Sequence, residues 1–208
     1  MRTFSQIADK RGVALALPAV LALVAAIPVV MAQTGPKDGE WHFYGGDQGS
    51  TRYAPYDQIN ADNFSKLQVA WRFKTDNFGP RPEYRLEGTP LMVKGVVYAT
   101  AGTRRAAVAL DAAAGEQIWS HSENEGARGN AAPRKLSGHG LSYWSDGKGD
   151  DRILYVTPGY RLVCLNAKTG AVITTFGDHG IVDLKQDDDQ EMDLIRATGQ
   201  EHFRRGAK

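Results

Sequence analysis

Short runs that mix apolar and polar residues, separated by turn residues, fill most of the chain after residue 32. Leu67–Lys74 (LQVAWRFK) alternates roughly, and Pro90–Ala101 (PLMVKGVVYATA) is typical of two short strands joined by a turn at Lys94-Gly95. Two further pairs of runs each flank a turn: Val108–Leu110 with Gln117–Ser120, and Ile153–Thr157 with Leu162–Leu165. Short β-rich runs bounded by Gly, Pro, Asn and Asp predict an all-β sandwich, barrel or propeller.

An internal repeat favours the propeller among these folds. Residues 95–119 (GVVYATAGTRRAAVALDAAAGEQIW) align with residues 152–174 (RILYVTPGYRLVCLNAKTGAVIT). The matched residues are Tyr98 with Tyr155, Thr100 with Thr157, Gly102 with Gly159, Leu110 with Leu165, Asp111 with Asn166, Ala112 with Ala167, and Gly115 with Gly170. In each copy, an Asp or Asn followed by a Gly predicts a tight turn between two strands. One such unit cannot bury both of its faces alone, so further units are expected beside it.

The first 32 residues have the features of a secretory signal peptide. Positive charge at the start comes from Arg2, Lys10 and Arg11. The stretch Val13–Ala32 carries no charged residue and has Val30 and Ala32 at the small-residue positions, which predicts cleavage between Ala32 and Gln33. A retained single-span membrane anchor is the alternative, because about 20 apolar residues can just cross a bilayer. In either case the chain from residue 33 onward is expected to face a non-cytoplasmic space, and we predict a periplasmic location.

Composition and charge argue against nucleic acid as a partner. Twenty-five Lys and Arg residues oppose 24 Asp and Glu residues, the formal net charge is +1, and no basic patch is interleaved with aromatic residues. The 23 glycines agree with turn-rich β structure. Cys164 is the single cysteine, so an intrachain disulfide is excluded. Its apolar neighbours predict a core residue rather than a nucleophile.

One turn region matches a known motif. Ala109–Trp119 (ALDAAAGEQIW) fits A-x-D-x-x-x-G-x-x-x-W and resembles the tryptophan-docking motif of quinoprotein dehydrogenases. The resemblance implies four-stranded blades, eight to a ring around a central cofactor, with Trp119 stacked on a peptide of the adjacent blade. The second copy, Cys164–Thr174, keeps Gly170 but has Asn166 for Asp and Thr174 for Trp, and resembles a degenerate form of the motif.

Three other stretches extend the resemblance to the PQQ-dependent alcohol and glucose dehydrogenases. Trp41–Tyr53 (WHFYGGDQGSTRY) is similar to the opening segment of that family. Leu67–Trp71 followed by Glu87–Val93 resembles its first blade, and a second blade is indicated by Gly138–Trp144, Ile153–Thr157 and Phe176–Leu184. The fold implied is an all-β partial propeller at 33–194, the first blades of an eight-bladed quinoprotein-type propeller, preceded by a signal peptide at 1–32.

The resemblance also supplies two candidate cofactor-binding residues. Glu87 stands where the family places a glutamate at the edge of the cofactor, with a solvated loop glutamate as the alternative. His139 stands where the family usually has an arginine, in GHGLSYW; it keeps a donor but loses the permanent charge and the planar fork. PQQ and calcium are the cofactors implied. The catalytic aspartate and the calcium ligands of the family lie in later blades, so the resemblance assigns neither a catalytic nor a metal-binding residue here.

The sequence therefore favours part of a dehydrogenase. The enzyme would oxidise alcohols or sugars by hydride transfer to the quinone, with a cytochrome or a quinone as electron acceptor. Residues 195–208 (IRATGQEHFRRGAK) form a polar, basic tail where the family would open another apolar strand, as after a reading-frame change or an early stop. The chain is accordingly expected to be inactive alone. The alternative is a cofactor-free propeller scaffold of the outer-membrane assembly type; a lipoprotein of that type would need a cysteine at the cleavage site, and Ala32-Gln33 has none.

Overall fold

Two four-stranded antiparallel sheets dominate the computed structural model, which describes residues 39–80, 87–133 and 140–186. The predicted signal peptide and polar tail lie outside the described residues. Within those three ranges, no helix is long and apolar enough to cross a membrane. The all-β prediction is confirmed, because strands outnumber the single short α-helix and one 3-10 turn that accompany them in the described part.

The strands follow one another in space in the order in which they occur in the chain. The first sheet contains β1 (Leu91–Val93), β2 (Val96–Ala101), β3 (Ala106–Asp111) and β4 (Gln117–His121). The second contains β5 (Ser142–Ser145), β6 (Asp151–Val156), β7 (Arg161–Asn166) and β8 (Ile181–Asp183). The short helix α1 (Gly126–Ala131) lies in the connection between the two sheets, and the 3-10 turn spans Phe64–Lys66. This connectivity is that of two consecutive propeller blades.

The turns between strands follow the chemistry predicted for them. Lys94 and Gly95 both have positive φ, 50° and 78°, as a two-residue hairpin turn requires. The Asp111 carboxylate accepts hydrogen bonds from the backbone N–H groups two and three residues later, at 2.9 and 2.7 Å. Asn166 repeats this pattern in the second sheet, at 3.0 and 3.1 Å. The sequence repeat is thus a structural repeat, with β2–β3 equivalent to β6–β7.

The core lies between the facing surfaces of the two sheets. Its buried members come from both sheets: Leu91, Val93, Tyr98, Ala107, Ala109, Trp119, Leu141, Ile153, Tyr155, Val163, Leu165 and Ala167. Ala107 and Ala109 of β3 are fully buried within this core. Cys164 is also fully buried, which confirms its predicted core position.

Trp119 docks the first sheet onto a backbone turn of the second, as the motif predicted. Its Nε1–H donates to the Ala167 carbonyl oxygen at 2.9 Å, and the Tyr98 hydroxyl donates to the same oxygen at 3.2 Å. The indole lies against Gly170, where an added Cβ would come within 2.7 Å of the ring. Gly170 also has a φ of +70°, so both its conformation and this close approach favour glycine.

The prediction that Leu67–Trp71 belongs to the same blade as β1 is wrong. In the described ranges, residues 67–75 form no strand and pair with no strand of the first sheet. Trp71 instead donates from Nε1–H to the Ala112 carbonyl oxygen at 3.0 Å and covers Gly115, where an added Cβ would lie 2.4 Å from the ring. This is the relation that Trp119 has to the second sheet. Trp71 therefore docks onto the first sheet as a tryptophan of a preceding blade would.

Residues 71–78 cover the face of the first sheet that points away from the second. Trp71, Phe73 and Phe78 pack against a small cluster of buried side chains on that face: Ala101, Val108 and Leu110. The rings of Phe73 and Phe78 lie 6.0 Å apart, centre to centre. The first sheet is therefore covered on both faces, which explains why β3 is almost completely buried.

An ion pair links the two sheets at the end where the β1–β2 turn lies. Lys94 Nζ lies 2.8 Å from Asp151 Oδ2, and this hydrogen bond is the main reason that the pKa of Asp151 is lowered to about 2. A carboxylate with a lowered pKa stabilises the fold fully above its unfolded pKa of about 4, and the contribution disappears as the pH falls through its folded value.

We therefore expect the unfolding temperature to decline between about pH 5 and pH 2 partly because of this pair. Asp151→Asn should lower the unfolding temperature at pH 7 and flatten its decline in acid, whereas Asp57→Asn, at an exposed position, should follow the wild-type curve. Calorimetry across this pH range measures both slopes. Equal slopes for wild type and Asp151→Asn would show that the ion pair contributes nothing to acid sensitivity.

Candidate functional site

The segments that lead into β1 and β5, the first strands of the two sheets, meet at one point. A Cβ added to Gly88 would lie 3.1 Å from the Gly140 amide nitrogen and 3.3 Å from the Gly140 Cα. Such distances are tighter than ordinary contacts, so the two glycine backbones touch. Gly140 also has a φ of +74°. Glycine at both positions therefore allows a junction made only of backbone.

The two predicted site residues directly precede these glycines. Glu87 adjoins Gly88 and is exposed. His139 adjoins Gly140 but lies outside the described residues, so its predicted position remains a prediction. The structure thus brings together the residues that follow Glu87 and His139 in the chain, although 52 positions separate the members of each pair in the sequence. The sequence alone gave no sign of this contact.

Thr100 of β2 lies beside this junction. Its side chain lies under the glycine junction, with Oγ1 3.3 Å from the position that a Cβ on Gly88 would take. Thr100 is only 5% exposed, and its hydroxyl has no hydrogen-bond partner among the described residues. Thr100 matches Thr157 in the sequence repeat, but the strand registers align Thr100 with Val156 and Ala101 with Thr157.

The loop that carries α1 is clamped to the second sheet by two charged side chains. The Glu125 carboxylate accepts hydrogen bonds from Thr157 Oγ1 at 2.7 Å and from the Gly159 N–H at 2.6 Å. Arg128, 6% exposed, donates to the Gly159 carbonyl oxygen at 2.6 Å and to both Asp183 carboxylate oxygens at 2.5 Å. The hydrogen bond from Arg128 is the main reason that the pKa of Asp183 is lowered. These bonds hold α1 and the residue before it against the second sheet.

A cavity of about 480 Å³ lies beside this connection. Its walls include Thr103, Glu123 and Glu125. Glu123 is held by His121 of β4, with Nε2 2.8 Å from the carboxylate. Across residues 39–80, 87–133 and 140–186, no three His, Cys, Asp or Glu side chains are grouped so as to hold a metal ion. We therefore assign no metal centre to the cavity.

Two consecutive four-stranded sheets pack face to face, and Trp119 of the first sheet docks on a turn of the second. This arrangement is that of a quinoprotein-type β-propeller. The family model described as the β-propeller domain of glucose/ethanol/alcohol dehydrogenases, a PQQ family, matches residues 41–200. The chain belongs to this family.

Curated relatives carry related names. The chain is 37% identical over 174 residues to the dehydrogenase subunit of alcohol dehydrogenase (quinone) from Gluconobacter oxydans, a match that covers 76% of this chain and 21% of the relative. It is 31% identical over 172 residues to the glycerol dehydrogenase large subunit of Gluconobacter thailandicus, covering 77% of this chain and 23% of that protein. The chain thus spans about a fifth of the length of these relatives.

Solved structures show the same fold. Quinohemoprotein alcohol dehydrogenase from Pseudomonas putida matches with a TM-score of 0.57 and 30% identity, over 72% of this chain and 20% of that one. A europium-containing methanol dehydrogenase matches with a TM-score of 0.55 and 27% identity, over 65% of this chain and 22% of that one.

Proposed function

We propose that this chain supplies the first two sheets of a periplasmic PQQ-dependent dehydrogenase that oxidises alcohols or sugars by hydride transfer, with a quinone or a cytochrome as electron acceptor. The family match and the names of the relatives support the enzyme class. PQQ, when bound, is an ortho-quinone with three carboxylates that accepts a hydride equivalent from the alcohol carbon. The signal-like sequence at 1–32 supports the periplasmic location.

The contact between Gly88 and Gly140 is the observation that supports the proposed cofactor site. Because Gly88 and Gly140 touch, Glu87 adjoins this junction, and His139 is the residue that precedes Gly140 in the sequence. The surface of that junction consists of backbone atoms only. The buried Thr100 hydroxyl beside it has no hydrogen-bond partner among the described residues. A planar cofactor can approach such a backbone surface closely, because no side chain projects from either glycine. We therefore infer that Glu87 and His139 form part of one edge of the PQQ site.

The docking of Trp71 supports a larger assembly of sheets. Trp71, which lies outside the first sheet, donates a hydrogen bond to the β3–β4 turn of that sheet at Ala112. Trp119 of the first sheet donates in the same way to the second sheet at Ala167. We infer that residues 67–75 form the outer strand of a further sheet, so that the two sheets described here are members of a longer series. The remaining sheets would supply the catalytic base and any calcium ligands, as the family resemblance implies. The 208 residues by themselves are therefore expected to bind PQQ weakly and not to turn over substrate.

Binding of PQQ to the purified full chain tests the cofactor site. Isothermal titration with PQQ should give saturable binding, and Glu87→Ala should weaken it about 10-fold or more, as expected when a hydrogen bond to a charged group is lost. Glu116→Ala is the matched control, because Glu116 is an exposed glutamate at the β3–β4 turn. It should bind PQQ with wild-type affinity.

Two results would contradict these assignments. A wild-type chain that binds no PQQ, with or without added calcium, would favour the cofactor-free scaffold. Equal affinities for wild type and Glu87→Ala would remove Glu87 from the site and leave it as a solvated loop residue.

A further inference from the structure

The two faces of the second sheet differ in how far they are covered. Ile153 and Tyr155 of β6 point towards the first sheet and are buried in the core that the two sheets share. Because successive side chains of a strand point to opposite faces, their neighbours lie on the outward face, which points away from the first sheet. This outward face carries an apolar side chain on each strand: Trp144 (β5), Leu154 (β6), Leu162 (β7) and Val182 (β8). Trp144 is 46% exposed and Val182 is 36% exposed, so large apolar side chains on this face meet solvent.

The outward face of the second sheet corresponds to a face of the first sheet that is an interface. Counted along the strand pairs from the matched turn residues Asp111 and Asn166, Trp144 holds the place that Val93 holds in the first sheet. Val93 is 1% exposed and belongs to the core between the two sheets. The second sheet therefore presents to solvent the same strand positions that the first sheet buries against its neighbour.

The largest ring lies on a different strand in each of these two faces. In the first sheet it is Trp119, on the last strand, and the corresponding residue in the second copy of the motif is Thr174, which is exposed. The second sheet has its tryptophan on the first strand instead, as Trp144. The Arg152 guanidinium lies 5.1 Å from the centre of the Trp144 ring and donates from Nε–H to Asp150 at 2.9 Å. The exposed ring is thus held on the outward face by its neighbours on that sheet.

We propose that the outward face of the second sheet is a docking surface for a further four-stranded sheet, and that Trp144 anchors it in place of the tryptophan that the motif lacks at Thr174. The inference rests on the series of sheets proposed above. A four-stranded sheet covers the equivalent face of the first sheet, and the matched segment is only 21% of the Gluconobacter oxydans relative, so the relative has room for more sheets. The docking sheet offers apolar side chains on its middle strands, as β6 does. Its turn need not carry a glycine like Gly170, because Thr174 places no ring on it.

A chimaera tests whether a further sheet buries Trp144. In it, this chain replaces the matched segment of the Gluconobacter oxydans dehydrogenase subunit. Trp144→Ala should shift the urea midpoint at least about threefold more in the chimaera than in the full chain alone, because deleting a buried aromatic ring costs several times more than deleting an exposed one. Thr174→Ala, at the motif position, is the control and should leave the midpoint of both proteins unchanged.

Each other outcome decides against the inference in a different way. Equal shifts for Trp144→Ala in the two proteins, or a chimaera that does not fold although the Gluconobacter subunit does, would overturn it. A larger shift for Thr174→Ala than for Trp144→Ala would place the anchor on the outer strand. A dimer of the full chain that sedimentation detects and Trp144→Ala dissociates would assign the face to a second copy. PQQ titration of the chimaera is a separate measurement: no PQQ binding together with the expected Trp144→Ala shift would overturn the proposed cofactor site and leave the docking surface.

Discussion

Trp119→Ala should lower the free energy of unfolding by about 3–5 kcal/mol, the usual cost of deleting a large buried aromatic side chain. Trp119 is 8% exposed, stacks on the Gly170 turn of the second sheet and donates to the Ala167 carbonyl oxygen. The substitution removes this contact between the sheets and leaves a cavity beside Tyr98. Because whole domains are stable by only about 5–15 kcal/mol, a large fraction of the chain should unfold near room temperature in mild urea.

Two variants separate docking from the general effect of losing a tryptophan. Trp144→Ala should cost less than about 1 kcal/mol, since Trp144 is 46% exposed and the Arg152 guanidinium lies 5.1 Å from the centre of its ring. Trp119→Phe keeps an aromatic ring but loses the Nε1–H donor, and should cost about 1 kcal/mol through that hydrogen bond. Urea titrations followed by far-ultraviolet circular dichroism give all three values. If Trp119→Ala unfolds at the same urea concentration as Trp144→Ala, Trp119 does not dock the two sheets.

Arg128→Ala should destabilise the protein by a similar amount, about 3–5 kcal/mol, because it removes the cation of a buried ion pair and leaves the carboxylate of Asp183 without it. The guanidinium is held by both Asp183 oxygens and by the Gly159 carbonyl oxygen. Without it, the Asp183 carboxylate stays in a partly buried site with its main partner gone, and α1 loses its anchor on the second sheet. The unfolding midpoint in urea should fall, and the Gly159 amide should exchange its hydrogen faster.

A double-mutant cycle tests whether the pairing with Asp183 is the cause. Arg128→Ala combined with Asp183→Asn should be less destabilised than the sum of the two single variants, since the unpaired charge is gone. Arg128→Lys should lie between wild type and alanine, because lysine keeps the charge but lacks the planar fork that engages both oxygens. Strict additivity in the cycle would contradict the pairing and assign the effect to lost packing.

The family resemblance identified part of the candidate site, but contacts between distant segments were needed to complete it. Glu87 and His139 were found because each stands before a recognisable strand opening, GTPLMV and GLSYW. The contact between Gly88 and Gly140 could not be found in this way, because it depends on how the two sheets pack and not on neighbouring residues.

The sequence by itself determined the strands, the turns and the docking tryptophan. Alternation, Asp or Asn before Gly, and the motif at Ala109–Trp119 are local features, and local backbone preferences act whatever the surroundings. Only the tertiary structure decided that Trp71 lies on the turn of the first sheet rather than within its blade, and that Arg128 reaches Asp183, 55 residues away. The physical reason is that an alternating run fits the edge or face of any sheet, and that an arginine fork pairs with any carboxylate within reach. Which partner is met depends on how the sheets pack against each other.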